Sequence, residues 1–169
     1  AGVGLTKTGQ GALRLSGANT YSGLTTVDLS IFEVTNPLAL GSTAGGTTLS
    51  GSSQLVLSNV TVAGETLTDS GPSSQLSSTD AAGWSGNVVL DSTLLISVTS
   101  GTNELSGAIS GAGGFTKNGA GTLILSGPNA NTYTGTTTAT TGTLLLNKAV
   151  ANAAFAGNLV IGDNSGTDT

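Results

Sequence analysis

Short apolar runs with a hydrophobic residue at every second position recur along the whole chain. Ala-Leu-Arg-Leu-Ser at 12–16 and Thr-Leu-Ile-Leu-Ser at 122–126 carry that alternation. A period of two is what a strand imposes, because successive side chains point to opposite faces. Leu13, Leu15, Leu123 and Leu125 are therefore read as inward, with Arg14 and Ile124 outward. A later run repeats the arrangement: Phe32 and Val34 match Leu144 and Leu146 as inward positions, whereas Glu33 matches Leu145 outside. Between these runs lie TTLS, QLVLSNVTV, ETLTD, NVVLDSTLLISV and NELSGAIS, divided by Gly, Ser, Asn and Asp. Strands every 8 to 12 residues or so predict a sandwich, a barrel or a solenoid.

The runs belong to an internal repeat. GLTKTGQGALRLSGAN from Gly4 returns as GFTKNGAGTLILSGPN from Gly114, and NTYSGLTTV from Asn19 returns as NTYTGTTTA from Asn131. The copies span residues 4–34 and 114–146, and two residues are inserted in the second copy's turn, where loops tolerate length change. Gly9, Gly11, Gly17 and Gly23 pair with Gly119, Gly121, Gly127 and Gly135. They stand at strand ends, where a chain bends sharply or takes positive φ. Lys7 and Lys117 are read as equivalent turn residues covering carbonyls, and Tyr21 and Tyr133 as packing over a corner.

Self-similarity at about 110 residues, with few bulky side chains, favours a solenoid over a sandwich. The chain has 169 residues but only 3 Phe, 2 Tyr, 1 Trp and 0 Met, so its core is narrow and built from Leu, Val, Ile and Thr. The expectation is an all-β parallel β-helix with little or no helix. Coils of about 20 to 25 residues make the repeat five coils long and the chain seven to eight. Residues 1–169 then form a single solenoid segment, expected to be an excerpt of a longer repeat protein. Runs such as TTV and TTT would stack like residues on successive rungs.

Composition removes several functions. Four Lys and Arg against nine Asp and Glu, a net charge of -5, leave no basic patch for nucleic acid. With 0 His and 0 Cys there is no serine triad, cysteine dyad, zinc site or disulfide. No apolar run approaches the roughly 18 residues needed to span a bilayer.

GLTKTGQGALRLSGANTYSGLTTV and GFTKNGAGTLILSGPNANTYTGTTTATTGTLLL resemble the autotransporter-associated β-strand repeat, also called the passenger-associated transport repeat, of large secreted bacterial surface proteins. NPLALG, GWSGNVVL and LSGAISGAGG fit the same wider pattern. The resemblance implies a right-handed β-helix, export and surface display, with no enzymatic chemistry and no cofactor. Copy one departs from the pattern at Ser30, where copy two has Gly142 before its last strand; that corner is expected to be less tight.

The first functional reading is thus a structural or adhesive stalk segment, with self-association through solenoid ends or neighbouring coils as the expected partnership. A polysaccharide-acting or carbohydrate-binding β-helix is the alternative. Its candidate acids, Asp28, Glu33, Glu65, Asp69, Asp80, Asp91 and Glu104, are scattered singly and read as solvated surface groups. Trp84 is weighed as an exposed sugar platform against a corner-packing residue, with corner packing preferred. Asp163 and Asp168 offer oxygens for calcium, although a turn is the plainer reading of that segment. Ice binding is a remote third, because it needs a regular Thr-x-Thr ladder at coil spacing.

Overall fold

The computed structural model describes residues 2–151 and 153–162. Asp163 and Asp168 lie outside the described residues. Strands follow the chain coil by coil. β1 (Leu5–Thr8) and β2 (Ala12–Leu15) form the first coil, and β3 (Thr25–Asp28) and β4 (Ile31–Val34) the second. Coil three holds β5 (Thr47–Ser50), β6 (Gln54–Ser58) and β7 (Thr61–Val62); coil four holds β8 (Leu67–Asp69), β9 (Gln75–Thr79) and β10 (Ala81–Trp84). Coil five is β11 (Val88–Leu90), β12 (Leu94–Val98) and β13 (Thr102–Leu105), and coil six is β14 (Ile109–Ser110), β15 (Phe115–Asn118) and β16 (Thr122–Gly127). The seventh coil has β17 (Thr137–Ala139) and β18 (Thr143–Lys148), and β19 (Leu159–Ile161) opens the next. Among the described residues there is no helix.

These strands stack into three parallel sheets. Face A is β1-β3-β5-β8-β11-β14, face B is β2-β4-β6-β9-β12-β15-β17-β19, and face C is β7-β10-β13-β16-β18. The strands are short because each covers one side of a coil, and the expected β-solenoid is what they form, with about seven turns where seven to eight were expected. The alternation read from the sequence becomes inner columns. On face B, Leu13, Phe32, Leu55, Leu76 and Ile96 lie one above another in register. On face A, Val27, Leu49 and Leu90 belong to one such column, and all three are fully buried. Each such aliphatic side chain contributes roughly 1.5–3 kcal/mol by leaving water.

The repeat is not a whole number of coils. Copy one lays its strands β1 to β4 on faces A, B, A and B, whereas the matching β15 to β18 lie on B, C, B and C. Five coils take Leu5 through Thr25, Thr47, Leu67 and Val88 to Ile109. Phe115, the sequence partner of Leu5, comes six residues later and one face further round. The expected five-coil spacing is therefore five coils and one face. The displacement starts where the third side of a coil, bare of strands in coils one and two, acquires β7.

Candidate functional site

Polar side chains run through the interior, and they are where chemistry would have to reside. Lys117 is the first. It lies on β15 rather than in a turn, at an inward position of the column that includes Ile96 and Ala139, and it is fully buried. Its Nζ donates to the carbonyls of Asn118 at 3.1 Å, Gly119 at 2.6 Å and Thr141 at 2.9 Å. All three ammonium protons thus have acceptors. Burial nevertheless pulls its pKa down. Lys7, on β1, repeats the motif at the other end with the carbonyls of Thr8 and Gly9. Both lysines cover carbonyls, as read from the sequence, but from strands.

Tyr133 is buried and tilts against Phe115 at 5.7 Å between ring centroids. Its hydroxyl meets Thr137 Oγ1, as that of Tyr21 meets Thr25 Oγ1 at 2.8 Å. Burial raises the pKa of both phenols. Leu123 and Leu125 are buried, whereas Leu13, Leu15 and Leu144 are half-buried against the core. Leu146 is 39% exposed, because β18 is the last strand of its sheet. Gly9, Gly11, Gly119 and Gly127 take positive φ. Gly23, Gly121 and Gly135 instead sit so close to the coil below that a Cβ would collide, and Gly17 does neither.

The acids divide in a way the sequence reading missed. Glu65 and Asp69 are not solvated: they are 2% and 0% exposed. Asp69 takes an inward position between Leu49 and Leu90 and accepts from Ser92 Oγ at 2.8 Å, while its Oδ1 has no partner. Glu65 accepts from Thr47 Oγ1 at 3.0 Å, and burial raises its pKa against that bond. The signal available was Asp69 itself, since in Leu-Thr-Asp it shares its register with Leu67. Outside, Glu33 pairs with Arg14 at 3.7 Å and accepts from Ser58, and Glu104 accepts from Ser126.

Among the described residues no three of His, Cys, Asp and Glu gather around a metal position. Trp84 is fully buried on β10 and donates its Nε1–H to the Glu65 carbonyl at 2.7 Å, so it is a packing residue and not a sugar platform. A cleft of about 400 Å³ lies against Leu146, Lys148, Val150 and Phe155 near the last coils. On face A, Thr6, Thr26, Thr48 and Thr68 form one outward threonine column. The neighbouring outward positions are Thr8, Asp28 and Ser50, so the Thr-x-Thr ladder that ice binding needs is not completed.

Comparison with known proteins agrees with this architecture. A family model described as the passenger-associated-transport-repeat matches residues 5–28 and 115–146. The chain is 35% identical over 147 residues to the adhesin BmaC autotransporter of Brucella suis biovar 1 (strain 1330), which takes in 86% of this chain and 4% of that protein. No solved structure gives a significant match. The chain is a β-solenoid in which two segments match the passenger-associated-transport-repeat.

Proposed function

We propose that the chain is a non-enzymatic spacer within a secreted or surface-displayed bacterial passenger, where stacked coils carry length and stiffness and their loops face the surroundings. The observation that carries this reading is the uninterrupted eight-stranded parallel ladder of face B, to which each coil adds one strand. Stability in such a stack comes from contacts between neighbouring coils, so length grows without a new core. The similarity to an autotransporter adhesin and the repeat match support display outside the cell. Lys117 and Trp84 direct their donors to backbone carbonyls, and Glu65 accepts from a threonine hydroxyl, which supports a structural role for these groups.

The exposed Ser42–Ala44 segment gives the test. An epitope inserted after Thr43, in the passenger that contains this chain, is expected to bind antibody on intact cells. The same purified chain is expected to release no reducing ends from acidic polysaccharides. An epitope reached only after lysis, or steady release of reducing ends, overturns the proposal.

A further inference from the structure

Glu65 interrupts a column of glycines. Register across face A places Gly23, Gly45, Glu65, Gly86 and Gly107 one above another, two residues ahead of the paired strand positions. At Gly86 a Cβ would stand 1.8 Å from the Glu65 carbonyl oxygen, and at Gly107 it would stand 1.9 Å from the Gly86 oxygen. The corner is therefore closed backbone on backbone, and Glu65 is its single long side chain. Its carboxyl turns to Thr47 Oγ1, and its carbonyl holds the indole N–H of Trp84.

Among the described residues no cation answers this carboxylate. The four Lys and Arg are engaged elsewhere: Lys7 and Lys117 on turn carbonyls, Lys148 on the Gly107 carbonyl, and Arg14 on Glu33. Tyr21, in the loop before β3, lies close enough to feel the charge of Glu65. Thr25 and Thr47, on β3 and β5, and Trp84, on β10, bring no charge. Asp69, at the far end of β8, is engaged with Ser92 and supplies no cation. An ionised Glu65 is thus a buried charge with one hydroxyl donor, an arrangement that favours either protonation or opening to water.

We propose that Glu65 is a proton-operated latch between coils three and four: protonated it keeps the corner shut, and ionised it admits water and loosens the stack. The raised pKa of the group places the closed form on the acid side. Trp84, the chain's one tryptophan, reports the state because it hangs from the same residue.

The test is a titration of Trp84 emission from about pH 4 to about pH 8, with amide exchange followed at Thr47 and Leu67. In the native chain both signals are expected to change in one transition above the ordinary carboxylate range, with protection of the two amides falling about tenfold. Glu65→Gln is expected to stay closed and flat. Thr47→Val, which removes the donor to the carboxylate, is expected to move the midpoint upward, and Asp69→Asn to leave the transition in place. A flat native titration, a transition that survives in Glu65→Gln, one that vanishes in Asp69→Asn, or a midpoint unmoved or lowered in Thr47→Val overturns the latch.

Discussion

Gly142 is where Lys117 needs an absent side chain: a Cβ there would stand 2.7 Å from Lys117 Nζ and 2.3 Å from the Gly119 carbonyl oxygen. The backbone at Gly142 also has φ of 71°, which side chains disfavour. Gly142→Ala is therefore expected to cost about 2 kcal/mol or more. Lys117→Met, which strips donors from buried carbonyls, is expected to cost about 3 kcal/mol. Urea unfolding followed by Trp84 fluorescence measures both, and a loss below about 0.5 kcal/mol for either would show that the ammonium does not staple coil six to coil seven.

Copy one solves the same corner differently. Ser30 replaces the glycine, is buried, and donates from Oγ to the Lys7 carbonyl at 3.2 Å. The left-handed backbone moves back one residue to Leu29, with φ of 50° and a side chain 58% exposed. The less tight corner expected at Ser30 is thus a strained residue beside it. Leu29→Asn puts a residue tolerant of that φ there at the loss of the smaller, covered part of the leucine side chain, and is expected to stabilise the fold by about 1 kcal/mol. An unchanged or lowered melting temperature would contradict the strain.

Strand alternation, the repeat and the coil count were legible because they depend on local pattern: Leu123 and Leu125 announce an inner face without any tertiary information. The burial of Glu65 and Lys117 was not, since a charged residue on a polar-looking segment carries no local mark of burial. Their placement follows from register between coils some twenty residues apart, as with Gly45 against Glu65 and Ile96 against Lys117. The advance of one face between copies was hidden for a related reason. A sequence offset reports residue number, whereas the face depends on when a bare side of the coil acquires a strand.

Glu65 gives global stability a pH slope with a defined sign. Its pKa is raised in the folded chain, so between the ordinary carboxylate value and the folded one the native state holds a proton that the unfolded state has lost. The contribution is fully present below that window and is lost as pH rises through it. The native chain is expected to become more stable on mild acidification from neutrality. Glu65→Gln keeps an acceptor for Thr47 and carries no charge, so it is expected to be the more stable form at pH about 7 and to show a flatter slope. Denaturant midpoints at several pH values decide it; parallel slopes for the two proteins would remove Glu65 from the account.

Glycines that look alike in the sequence differ in what they permit. A methyl at Gly86 meets the Glu65 carbonyl at 1.8 Å, whereas a methyl at Gly17 meets nothing within 4 Å and the backbone there is ordinary. Gly86→Ala is expected to lower stability by about 3 kcal/mol or more, because backbone cannot retreat as a flexible side chain can. Gly17→Ala is expected to fall within about 0.5 kcal/mol of the parent. Equal effects at the two sites would mean that coil stacking does not depend on the glycine column.

The advance of one face between the repeat copies can be read chemically, since the chain has 0 Cys and introduced thiols are unambiguous. Thr116 on β15 is the register neighbour of Leu95 on β12, within face B. Were the two copies aligned face for face, β15 would lie on face A with β1, and Thr116 would stand beside Val89 of β11 instead. Neighbouring parallel strands run about 4.8 Å apart, within disulfide reach, whereas residues on different faces are separated by the core. Leu95→Cys with Thr116→Cys is expected to cross-link under mild oxidation, and Val89→Cys with Thr116→Cys to stay reduced. The opposite result would return the copies to the same face and make the repeat a whole number of coils.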